Sequence, residues 1–193
     1  MKKERKCDSR VARTKAAIRR AYLKLLGQRE GGTITVTDIA EAADVDRKTV
    51  YNYYEGVTAI RDELEDELVR LVAKAIGEAD LERCPRDPLG FLQAVTNAFA
   101  AHDELTVPLV RKNKYSQVLQ KLGDAFATRV SALLKKHVSP PKIAYTKLYA
   151  DFITGGTLTL YRDWLNAGMQ QPLEEIAKQL ELFLKTGIAA FMA

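Results

Sequence analysis

Apolar residues recur three and four positions apart along most of the chain, and polar residues fill the gaps. Val11, Ala12, Ile18, Ala21, Tyr22 and Leu25 make one stripe, with Lys and Arg on the outer side. This spacing predicts a helix from a Ser9 cap to about Arg29, broken by Gly31-Gly32. Residues 1–8 ahead of it read as a disordered basic arm. Next comes Thr35-Val36-Thr37-Asp38-Ile39-Ala40, where Thr35 is a helix cap and Asp38 stands at the capping-box position. Ile39, Ala40 and Ala43 form a small apolar face. Asp44-Val45 reads as a tight turn, because Asp tolerates left-handed backbone. Asp46 then caps a second short helix, Arg47 to Tyr53, which opens on two cations and a hydroxyl. Two short helices across a sharp turn, the second presenting Arg47, Lys48 and Thr49, make a helix-turn-helix with that helix as its reader.

Downstream, Ile60, Leu64, Leu68, Leu71, Val72 and Ala75 predict a helix over Thr58 to Gly77. Its Asp62, Glu63, Glu65, Asp66 and Glu67 read as a solvated acidic face. Cys84-Pro85-Arg86-Asp87-Pro88 is a loop by composition. Helical spacing resumes over Leu89 to His102, over an irregular segment around Pro108, and over Ser116 to His137. Ser139-Pro140-Pro141 interrupts it. Ile143 to Asn166 carries apolar residues on more than one side, so it should be covered on more than one side. Gly155-Gly156 in its middle leaves room for a neighbouring helix or for a ligand, since each Gly costs about 1 kcal/mol in a helix interior. Gly168 suits a helix end, and Pro172 starts the last helix, to about Met192. The pattern is all-α with about nine helices, divided as a DNA-binding domain over 1–56 and a helical body over 57–193.

Composition narrows the function. The chain has 193 residues and no apolar run long enough to span a membrane. The basic N-terminus is not followed by a signal-type apolar stretch, so a cytoplasmic location is expected. Cys7 and Cys84 are too few and too far apart for a disulfide framework or zinc site. His102 and His137 have no Glu-x-x-His spacing, so neither a metal nor a cofactor is expected. Phosphate-loop, dinucleotide and nucleophile-elbow motifs are missing, which argues against an enzyme. Charge is uneven: residues 1–55 hold 13 Lys/Arg against 8 Asp/Glu, a balance of +5, while residues 56–193 hold 17 of each. The net positive charge therefore surrounds the helix-turn-helix, as a phosphate-facing surface requires.

The N-terminal third resembles the TetR family of bacterial transcriptional regulators. The likeness runs through Arg13-Thr14-Lys15, Ile18, Ala21 and Leu25-Leu26, then Ile34 to Ala40, Ala43, Val45, Arg47, Thr49, Tyr51 and Tyr54. It is specific over residues 9 to about 70 and rests on architecture beyond. Phe152 to Gly156, Trp164-Leu165 and Pro172 to Ala177 are similar to the last two helices of many members. The resemblance implies a homodimeric repressor on a near-palindromic double-stranded operator, released by a small-molecule effector. Arg47, Lys48 and Thr49 would lie near bases or phosphates. Tyr51 and Tyr53 would touch the DNA backbone or brace the helix, and Thr35 and Thr37 would offer a helix N-terminus to phosphate. Arg10 and Arg13 would add salt-dependent affinity. Tyr54 would pack inside. The effector pocket would be lined by Phe99, His102, Tyr115, Leu119, Tyr149, Phe152, Thr157 and Trp164. The dimer interface would use Ile153, Gly156, Leu160, Trp164, Leu180, Phe183 and Leu184. Three positions depart from the family: Val57 replaces a phosphate-touching Lys, Asp44 a frequent Gly, and Asp46 a frequent Ser or Thr. The alternative is a DNA-bound protein of the same fold whose helical body binds a protein partner.

Overall fold

Helix ends set by local chemistry divide this chain. The computed structural model describes residues 2–28, 33–84, 87–111 and 117–192, and these contain ten α-helices and no strand. They are α1 (Lys2–Gln28), α2 (Val36–Ala42), α3 (Arg47–Tyr51), α4 (Val57–Ala75), α5 (Glu78–Arg83), α6 (Pro88–Ala100), α7 (Asp103–Thr106), α8 (Val118–Lys135), α9 (Thr146–Asn166) and α10 (Leu173–Met192). A π-helical turn, Val107–Arg111, follows α7, and a 3₁₀ turn, Pro140–Tyr145, precedes α9.

Several boundaries differ from expectation for identifiable reasons. α1 begins at Lys2, so Ser9 lies inside it and residues 2–8 of the expected arm are helical. Residues 2–8 hold no Gly or Pro, and Lys, Arg and Glu are good helix formers. The helix count exceeds nine because α5 and α7 are too short for their apolar residues to show a period. Pro108 lacks the N–H that an α-helix needs, and the chain passes it in the wider π turn. Gly31-Gly32 and Pro85 lie outside the described residues.

The chain packs as two units. The first comprises Met1–Glu67 with Glu104–Ser116, the second Leu68–Asp103 with Gln117–Ala193. The change falls within α4, beyond the expected 56/57 division. In the first unit Ile18, Tyr22, Ile39, Val50, Ile60 and Leu64 are buried, and the π turn lies against α1. Burial pushes the Tyr22 phenol up to about 12, against the nearby charge of Arg61.

The second unit is built on the broad α8–α9 contact, with α6 against α10. Leu122, Phe126, Val95, Leu158, Tyr161 and Leu184 are among its buried residues. Phe91 meets Phe126 edge-on at 5.9 Å, and Phe99 stacks on Tyr161 at 6.3 Å. Cys84 is buried, and desolvation with the nearby Asp87 charge pushes its thiol up to about 12. α9 ends in a Schellman motif: the Gly168 N–H donates to Leu165 O at 3.0 Å and the Met169 N–H to Trp164 O at 3.0 Å. Gly168 has φ +73°, so the expected glycine cap is present.

Candidate nucleic-acid interface

The helix-turn-helix is assembled from bonds between residues three to five apart. Asp38 N–H donates to Thr35 Oγ1 at 3.2 Å, and Thr35 N–H donates to Asp38 Oδ2 at 2.8 Å, completing a reciprocal capping box. α2 then stops in a second Schellman motif. Asp44 N–H donates to Glu41 O at 3.2 Å and Val45 N–H to Ala40 O at 3.0 Å, with Asp44 left-handed at φ 54°. Here Asp occupies the place that glycine fills most easily. Asp44→Ala is expected to cost about 1 kcal/mol of stability, because Ala in left-handed backbone lacks the local polar compensation of Asp. Asp44→Gly should cost nothing or stabilise; urea unfolding of both variants checks this.

Asp46 caps α3. Thr49 N–H donates to Asp46 Oδ1 at 2.7 Å and the Thr49 hydroxyl to Oδ2 at 3.0 Å. These bonds, the backbone N–H of Thr49 first, hold the Asp46 carboxyl below its ordinary range. α3 is anchored by Val50, which has no exposed surface, while Arg47, Lys48 and Tyr51 are exposed. Thr49 and Tyr53 are half-buried. The helix closes at Tyr51 rather than Tyr53, where the Tyr53 N–H bonds to Val50 O three residues back instead of four. Arg47 and Lys48 therefore project from a short helix pinned on its inner side and capped at its start. Two cationic donors so placed suit guanine O6/N7 or phosphate oxygens. Thr35 and Thr37 are exposed at the start of α2, though the Thr35 hydroxyl is engaged in its capping box. Arg10 and Arg13 are exposed on α1.

Tyr54 is buried, as a core aromatic should be, but its hydroxyl has a specific partner. It donates to Glu63 Oε1 at 3.1 Å. Glu63 also accepts from Lys15 Nζ at 2.9 Å, with Arg19 at 3.6 Å, while Arg19 pairs with Glu67. Lys15 Nζ lies 5.0 Å from the centre of the Tyr54 ring. Burial works to raise the Glu63 carboxyl; the bonds and charges of Lys15, Tyr54 and Arg19 outweigh it and hold it below its usual range. Burial, reinforced by the Glu63 charge, raises the Tyr54 phenol. The acidic side of α4 is thus only partly a solvated face, with Asp66 exposed. Glu63 and Glu67 dock α1, and Glu65 has no exposed surface. The signal was present: Lys15–Arg19 and Glu63–Glu67 are each spaced one helical turn apart with opposite charge.

The residues assigned to a pocket and an interface separate in the second unit. Phe99, Thr157 and Trp164 are buried, His102, Leu119 and Tyr149 are half-buried, and Tyr115 lies outside the described residues. Tyr149 packs on the Ala127–Leu134–Ala150 cluster. Phe152 corrects the expectation: it is 79% exposed and lines no interior. Thr96 Oγ1 and Tyr161 OH lie 3.1 Å apart, with the Tyr161 ring stacked on Phe99. Of the expected interface residues, Leu160 and Phe183 are exposed, Gly156 is open with nothing near a Cβ position, and Ile153 is half-buried. Trp164, Leu180 and Leu184 instead sit inside the unit's own core. Trp164 lies 5.5 Å from the Tyr161 ring and donates its indole N–H to Gln171 O at 2.8 Å. Among the described residues no helix is long and apolar enough to cross a membrane.

Residues 86–186 match the family model TetR_C_8, a transcriptional regulator C-terminal region. Over 194 residues the chain is 26% identical to YxbF, an HTH-type transcriptional regulator of Bacillus subtilis (strain 168), across 94% of this chain and 47% of that protein. It therefore spans about half the length of this curated relative. In fold it is similar to the fatty acid degradation regulator FadR from Bacillus halodurans, with TM-score 0.56 and 17% identity over 90% of this chain and 95% of that one. It is also similar to the dihydroxyacetone kinase operon activator DhaS, with TM-score 0.50 and 17% identity over 93% of this chain and 98% of that one.

Proposed function

Since the chain belongs to the TetR family of transcriptional regulators, we propose that it is a homodimeric repressor that reads a near-palindromic operator and leaves it when a small effector binds. The observation that carries the reading is α3. Arg47 and Lys48 stand exposed on a helix whose start is capped by Asp46 and whose inner side is fixed by Val50. Base contacts from these side chains supply sequence choice, and Arg10 and Arg13 on α1 supply salt-dependent affinity. Tyr51, Tyr53, Thr35 and Thr37 flank them.

Dimerisation is supported by the outer side of α9 and α10. Leu148, Phe152, Leu160, Leu182 and Phe183 are large, apolar and exposed there, with Gly155 and Gly156 open between them. A patch of this kind is costly to leave in water. Two copies joined along it would present two α3 helices to half-sites about one turn of DNA apart, roughly 34–36 Å. For release, the effector must favour the conformer that does not bind DNA. The Phe99, Tyr161 and Trp164 rings, with the hydroxyls of Thr96 and Tyr161 beside them, are the place for it.

Selection of duplexes from a random-sequence pool by the full chain tests the reading. The recovered sequences should share an inverted repeat. A pool that stays random after repeated rounds would refute operator reading. A reporter gene placed behind the recovered repeat gives the sign of regulation, with repression expected.

A further inference from the structure

The ion cluster behind the reading helix has more connections than helix docking requires. Tyr54 follows α3 by three residues, and its N–H is bonded back to Val50 O at 3.0 Å. Its hydroxyl ends on Glu63, and its ring lies beneath Lys15 Nζ. Glu63 therefore ties three segments at one carboxylate: the turn that closes α3, helix α1 through Lys15 and Arg19, and α4 itself. All of these residues belong to the first unit. The same carboxylate neutralises cations of a helix otherwise rich in phosphate-seeking charge.

We propose that Glu63 is a positioning residue for operator recognition, setting the angle of α3 through the Tyr54 hydroxyl while withholding Lys15 from non-specific contact with DNA. The inference rests on the operator-reading function proposed above. A purely structural ion pair would raise or lower all DNA binding together with stability. A positioning carboxylate instead sets the ratio of selective to non-selective affinity, because α3 geometry governs only base contacts and free cations serve any duplex.

The test uses the full chain, a duplex recovered by selection from a random pool, and a scrambled duplex of equal length. Glu63→Gln keeps the side-chain size but removes the charge. It should lower the selected-to-scrambled affinity ratio about tenfold, the scale of a lost charge-assisted hydrogen bond. It should also steepen the log–log salt dependence on the scrambled duplex by about 0.9 for each phosphate met by a freed cation. Tyr54→Phe should lower the ratio without changing that slope. Unchanged ratios in both variants, with wild type still selective, would overturn the proposal. So would a fall in the ratio that appears only together with loss of helical circular dichroism. A wild-type chain that selects no sequence would overturn the functional reading itself, and the proposal with it.

Discussion

Arg47→Ala with Lys48→Ala is expected to abolish sequence-selective binding while leaving the dimer and the fold intact. Each bidentate contact to guanine is worth roughly 1–3 kcal/mol. Removing two such side chains from each half-site approaches the whole margin, roughly 4–10 kcal/mol, by which specific binding exceeds non-specific binding. Selective affinity should therefore fall by about several hundredfold or more on the lower of these figures. The residual binding should be salt-sensitive, carried by Arg10 and Arg13 on α1. Stability should change little. Both side chains are exposed, Ala is the best helix former, and neither the Asp46 cap nor the Val50 anchor is touched. Anisotropy titrations against the selected and scrambled duplexes, beside a thermal melt, decide the matter. Retained selectivity would move the reading residues off α3.

Phe152→Asp is expected to convert the protein to monomers without unfolding it. Phe152 is 79% exposed and Phe183 67% exposed, so in a single subunit a carboxylate there stays hydrated. In a twofold interface the same patch faces its own copy, and each buried, unpaired carboxylate would cost several kcal/mol. Sedimentation should show a monomer with wild-type helical content, and operator affinity should drop because a near-palindrome needs both heads. Trp164→Asp makes the contrast. Trp164 is only 9% exposed, lies tilted against the Tyr161 ring and donates to Gln171 O. Its loss should cost about 3–5 kcal/mol and damage the subunit itself. A Phe152→Asp protein that stays dimeric would remove this side of α9 from the interface.

α9 shows why the two kinds of side were not separable in the sequence. Its apolar residues lie all round, and only neighbours decide which go inside. Ala150, Leu158, Tyr161 and Trp164 face inward, together with Thr154 and Thr157. The two threonines are tolerated because their hydroxyls donate to Ala150 O at 2.8 Å and Ile153 O at 2.7 Å, within the helix. Leu148, Phe152 and Leu160 are left outside. Hydrophobicity ranks Phe above Thr for burial, and the helix inverts that order, because internal hydrogen bonds satisfy the threonine hydroxyls while no neighbouring helix among the described residues covers Phe152.

The helix-turn-helix was legible in residue order alone: the Thr35–Asp38 box, the left-handed Asp44 turn, the Asp46 cap and the outward Arg47 and Lys48. Each depends on bonds reaching three to five residues, or on the side chain's own chemistry, so local order carries it. The all-helical class and the concentration of positive charge followed in the same way from period and composition. Folding alone assigned the acidic residues of α4 their partners and separated the two sides of α9. Glu63 meets Lys15 across 48 positions of sequence, and Trp164 is interior because α9 lies against its neighbours. A charge or an apolar group has no assigned side until a distant partner takes it out of water.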